Sequence, residues 1–144
     1  MSEDAPEVVR PPDWPRPSGY SDAVAAQGRT IFVSGQIGWD PVTHQLAGSD
    51  LPTQARRALE NVLAILQTGG AAPEHVVRLT WYITDRAQYL HSAKALGERY
   101  RQLFGTHYPA MSVVVVAGLL EEGAVVEIEA TAVLPLTAPP ASSV

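Results

Sequence analysis

Apolar and polar residues along the 144-residue chain change their period several times, and each change marks a change of element. Residues 21–26 and 30–36 are short β-compatible runs. Gln27-Gly28-Arg29 between them has turn composition, so the pattern predicts an opening β-hairpin. Residues 38–48 carry Gly38, Asp40, Pro41 and Gly48, which is loop chemistry. Over 52–68 the period becomes helical. Leu59, Val62, Leu63 and Leu66 recur at i, i+3, i+4 and i+7, while Arg56, Arg57, Glu60 and Gln67 lie off that stripe. Gly69-Gly70 is expected to end this helix through a left-handed residue that glycine adopts without strain.

Val77, Leu79, Trp81 and Ile83 then alternate with Arg78, Thr80, Tyr82 and Thr84, the period of two that marks a half-buried strand. Residues 86–104 return to helical spacing through Tyr89, Ala93, Leu96, Tyr100 and Leu103, closed by Gly105. Residues 111–117 and 124–134 are two further strands, joined as a last hairpin by 118–123. The predicted order is β-β-α-β-α-β-β, an α/β two-layer sandwich with two helices on one face of a mixed sheet. The other face still needs cover, and copies of the same chain in closed cyclic symmetry are the expected solution.

The ends of the chain differ from this middle. Residues 1–17 hold five of the twelve prolines with several charges and no apolar period, and are expected to form an extended arm. Residues 136–144 include Pro139, Pro140, Ala141, Ser142 and Ser143, a composition too poor in apolar surface to order itself. One domain over 18–135 is expected between them. The chain has no cysteine, which excludes disulfides and thiolate chemistry. No apolar run approaches the roughly 20 residues of a membrane span and no signal-type progression opens the chain, so a cytoplasmic location without membrane contact is expected. Ten Lys and Arg against 15 Asp and Glu, a formal charge of -5, argue against nucleic acid as a partner.

Phe32-Val33-Ser34-Gly35-Gln36-Ile37, Asn61-Val62-Leu63 and the stretch 109–129 together resemble the RidA/YjgF family, and the resemblance extends over about 18–135. It implies a chorismate-mutase-like fold and a homotrimer with its sheets facing inward and a ligand cleft at each subunit interface. It also implies hydrolysis of reactive enamines and imines with release of ammonia. In the active members an arginine within Pro-Ala-Arg-Ser grips the substrate carboxylate; here the motif reads Pro109-Ala110-Met111-Ser112. Methionine offers neither charge nor donor for a bidentate carboxylate pair. The family's helix asparagine falls on Gly97, and the residue two after the arginine, often cysteine, is Val113. Tyr20 matches the tyrosine of a Gly-Pro-Tyr motif that here reads Ser18-Gly19-Tyr20, Ser34 and Gly35 match backbone contacts to ligand, and Glu127 matches the glutamate that positions water. By resemblance, then, Glu127 is the catalytic candidate and Tyr20, Ser34, Gly35, Met111 and Ser112 are the substrate-binding candidates.

Glu127 and Glu129 lie two apart and so share a sheet face. Two readings stay open: mutual pKa displacement serving acid/base chemistry, or pairing of one carboxylate with Arg78 or a backbone donor. Met111 is either a soft wall for an apolar ligand or a space filler. Trp39, Trp81 and Tyr108 are either cleft surface or, Trp81 above all, core or interface. His44, His75, His91 and His107 show no metal spacing, and only His107 lies near the cleft, as a proton carrier or a solvated loop residue. No P-loop, G-x-G-x-x-G or G-x-S-x-G pattern occurs, so no cofactor or metal is expected and Ser112 is no nucleophile. The leading expectation is an enzyme that hydrolyses or tautomerises a small, reactive, neutral or more apolar imine-type metabolite rather than a standard α-imino acid. Its rivals are a trimer that binds a metabolite without turnover and, last, an endoribonuclease.

Overall fold

The computed structural model describes residues 6–136. The elements are β1 (Glu7–Val9), β2 (Ala23–Ala25), β3 (Arg29–Ile37), α1 (Leu51–Thr68), β4 (Val76–Ile83), α2 (Arg86–His91), α3 (Ala93–Phe104), β5 (Ala110–Val115) and β6 (Val126–Leu134). Four strands form one mixed sheet in the order β3-β6-β4-β5. β4 and β5 are parallel, and β6 runs antiparallel to both β3 and β4. Each parallel relation is made by a helical crossover, as parallel strands require: α1 between β3 and β4, α2 and α3 between β4 and β5.

The helices share one face of this sheet. On α1 the stripe Leu59, Val62 and Leu66 is wholly buried, with Leu63 packed half-buried at its margin. Leu79, Trp81 and Ile83 of β4 and Val126, Ile128, Ala130 and Ala132 of β6 meet it from the sheet. Asp50 caps α1 by accepting from the Thr53 backbone N–H at 3.0 Å. At the other end Gly70, with φ +87°, turns the chain out of the helix. The strand alternation expected from residue 77 begins at 79, because a register shift between Val76 and Arg78 displaces Val77.

Four local expectations are corrected. The opening hairpin does not form: β2 pairs antiparallel with β1, and β3 pairs with β6 instead. The arm therefore contributes a short strand, although its Val8 and Val9 stay exposed. The single helix over 86–104 is two, because Ser92 closes α2 and opens α3. The last two strands are not a hairpin. β4 lies between them, and the connection crosses its end, with Val116 N–H donating to Ile83 O and Thr84 N–H to Val125 O. The tail expected over 136–144 lies, beyond Leu136, outside the described residues.

Among the described residues no helix is long and apolar enough to cross a membrane. The open sheet face carries Phe32, 80 % exposed, and Val114, 41 % exposed. Their register partners Thr131 and Tyr82 point the same way.

Candidate functional site

The candidate residues fall on opposite faces of the sheet. Met111 stands opposite Leu79, a core residue, so it points to the helix side. Glu127 stands opposite Tyr82, three positions along β4 from Leu79, and so points to the open face. Ser112 is opposite Thr80 and shares the open face with Glu129, also opposite Thr80. It is therefore turned away from Met111 despite being its neighbour in sequence.

On the helix side a cleft of about 560 Å³ lies between α3 and the β5 edge. Ser18, Gly19 and Tyr20 form part of its rim. Ser21 holds that rim in place: its N–H donates to Pro109 O at 3.0 Å, its hydroxyl donates to Tyr108 O, and it bridges to Ala110. Tyr20 is thereby brought to the same cleft as Met111. Trp81 and Tyr108 belong to the wall; Trp39 does not, being stacked on His44 in the 38–50 loop at 4.4 Å. Tyr108 stacks on Tyr100, which stacks in turn on Phe104. The Tyr100 hydroxyl donates to His107 O at 2.6 Å, and burial pushes its pKa up, so it stays a protonated donor. One His107 ring nitrogen lies 2.7 Å from Val76 O, stitching the 105–109 turn to β4.

The open face holds a different set. β3 shifts register between Val33 and Gln36, so Ser34 and Gly35 bulge beside β6. Bulges release backbone groups from the ladder and recur near active sites. A Cβ on Gly35 would fall on the Glu127 carboxylate, with Cδ only 2.7 Å away, so glycine is what allows that carboxylate its place. The two glutamates also separate. Glu129 accepts from the Tyr82 hydroxyl at 2.7 Å, which together with burial holds the Tyr82 pKa above its ordinary value. That pairing is with neither Arg78 nor a backbone donor. Among the described residues Glu127 has no hydrogen bond or ion pair of its own.

Asn61, one of the motif residues, acts structurally. Its amide donates to Ile37 O and Trp39 O, tying α1 to the end of β3 just beyond the bulge. Gln54 does the same for the 38–50 and 118–123 loops, donating to Gly48 O and Gly123 O and accepting from Val125 N–H.

Residues 15–134 match the family model described as endoribonuclease L-PSP. A RutC family protein of Pyrococcus abyssi is 37% identical over 89% of this chain and 97% of its own. The human 2-iminobutanoate/2-iminopropanoate deaminase is 38% identical over 82% of each chain. The chain belongs to the RidA/YjgF family. In structure this RidA/YjgF chain is similar to YyfB of Yersinia pestis, a Rid protein of unknown function, with a TM-score of 0.80 and 32% identity over 90% of this chain and 99% of that one. It is similar also to E. coli TdcF with bound serine, with a TM-score of 0.64 and 34% identity over 89% and 98%. Relatives in the RidA/YjgF family thus include a named deaminase and proteins without an assigned reaction, so membership establishes the fold and leaves the reaction to the site.

Arg101 and Tyr89 also line the helix-side cleft, and neither is among the residues expected from the family motifs. The signal that points to Arg101 is its i, i+4 spacing from Gly97 on α3, legible only once the face of that helix is known.

Proposed function

We propose that this chain is an imine or enamine hydrolase, releasing ammonia in clefts formed where copies of it meet as a homotrimer. The observation that carries this reading is Glu127: a carboxylate without a partner among the described residues, beside the unladdered backbone of Ser34 and Gly35. One chain holds Glu127 and Met111 on opposite faces, so a chamber containing both needs a second copy. The exposed apolar residues on the open face, Phe32 and Val114, favour such a contact.

In this chamber water held by Glu127 adds to the carbon of the protonated C=N bond while the carboxylate takes a proton from the water, leaving an adduct with a hydroxyl and an amino group on one carbon. Glu127 returns that proton to the amino nitrogen; as the C–N bond breaks, the hydroxyl gives its proton back to the carboxylate and becomes the carbonyl, so a carbonyl compound and ammonia leave. The human relative is named for this reaction on 2-iminobutanoate and 2-iminopropanoate. Met111 cannot grip a carboxylate from β5, so these short acids are not the expected preferred substrates.

The test is loss of imine and release of ammonia from freshly generated 2-iminobutyrate and from bulkier and carboxylate-free imines. Glu127→Gln should fold with an unchanged melt and lose about a hundredfold or more in turnover of the best substrate. Equal turnover by that variant removes the proposal. A second reading, binding without turnover, draws on the aromatic lining of the helix-side cleft, and would be favoured by tight binding of an imine that wild type leaves intact.

A further inference from the structure

We infer that the cleft has an anion handle of its own, Arg101 on α3, and that it takes a carboxylate carried on a large, flat, apolar body. This deepens the proposed function by naming the substrate class of the same chamber. Arg101 follows Gly97 by one helical turn, and both line the cleft. Its Nη1 lies 3.1 Å from where a Cβ on residue 97 would stand. The missing side chain at 97 is therefore the space in which the guanidinium rests. Among the described residues that guanidinium has no hydrogen bond or ion pair, so its planar fork of donors is available to a carboxylate.

The charge thus sits on the helix wall, across from Met111 on the strand wall. An acid bound this way lies with its carboxylate against α3 and its body along Met111, Tyr108 and Trp81. That body has room: the cleft volume of about 560 Å³ is of the size that houses ligands well beyond a three-carbon acid. Tyr89 and Tyr100 extend the flat wall, and Met111 adapts to whatever shape lies on it. The Trp81 ring in that wall is 4 % exposed, so it offers the ligand a firmly packed apolar surface.

The test uses stable probes and calorimetry: phenylacetate, its uncharged counterpart phenylacetamide, and acetate. Wild type should bind phenylacetate at least about tenfold more tightly than either of the others, the scale of one charge-assisted pair at a half-open site. Arg101→Gln should abolish the preference for acid over amide while leaving amide binding in place. Arg99→Gln, on the same helix but outside the cleft wall, should keep it in full. Arg101 is exposed, so its variant is expected to melt with wild type. Survival of the acid preference in Arg101→Gln, or acetate bound as tightly as phenylacetate, overturns the inference. Turnover on the same preparations keeps the two claims apart. Charge-selective binding without turnover removes the hydrolase and supports the handle, whereas turnover of an aromatic imino acid undiminished in Arg101→Gln removes the handle.

Discussion

The open face of the sheet and the cleft on its helix side are made of opposite materials. The open face presents Glu127, a backbone bulge at Ser34 and Gly35, and the Tyr82–Glu129 pair, all on strands whose other faces are core. The helix-side cleft presents aromatic rings, a thioether and one arginine. The first is set by backbone register, where a single atom matters. The second is set by side-chain shape, which tolerates exchange. Chemistry is therefore expected to be held fixed on the strands, and substrate choice to vary on α3 and β5.

Gly35→Ala puts the largest strain on this contrast. The added Cβ takes the place of the Glu127 carboxylate, and turnover should fall about tenfold or more, read from imine loss. Met111→Leu on the other side conserves volume and should change stability by less than about 1.5 kcal/mol in urea titration. If the alanine variant turns over normally, the strand-borne device is not where the chemistry lies.

Tyr82→Phe comes next, because it separates the two glutamates. Glu129 loses its donor, which should lower stability only slightly, while turnover should stay within about threefold. A loss matching that of Glu127→Gln would assign the chemistry to Glu129 instead.

The smallest effect is remote from both faces. The Thr53 hydroxyl and backbone N–H hold the Asp50 carboxyl below its ordinary pKa. The cap's contribution is thus complete above the ordinary carboxylate pKa and fades as pH falls through the lowered value. Asp50→Asn keeps the cap and should flatten this acid dependence, whereas Asp50→Ala should cost about 1 kcal/mol at neutral pH. Urea midpoints between neutral and acidic pH distinguish the two, and turnover per folded chain should be unchanged in both.

How much of this is legible in sequence depends on whether the determinant is local. The α1 stripe and the β4 alternation are periodic within one segment, and both fold as their periods predict, apart from the slip at Val77. Strand partners are not local. The composition of Gln27-Gly28-Arg29 suits a turn, yet β3 gains its ladder from β6, nearly a hundred residues on, and β2 from the arm. The break at Ser92 is invisible to apolar spacing because Tyr89, Ala93 and Leu96 keep the helical period across it. Family motifs named Tyr20, Met111, Gly35 and Glu127 as site candidates, and the structure places Tyr20 and Met111 at the helix-side cleft and Gly35 and Glu127 at the bulge. They did not show that one chain divides these residues between two faces, since that follows from register alone. Arg101 escaped because its meaning depends on the emptiness at Gly97, a property of a helix face rather than of a motif.

The central claim is that Glu127 of one copy and Met111 of another share a chamber, and the absence of cysteine from the chain makes it directly measurable. Glu127→Cys and Met111→Cys are co-expressed as separate chains and treated with a short bismaleimide. Covalently linked pairs joining one chain of each kind are the expected result, and none when either variant is treated alone. Chains that remain unlinked in the mixture would contradict it.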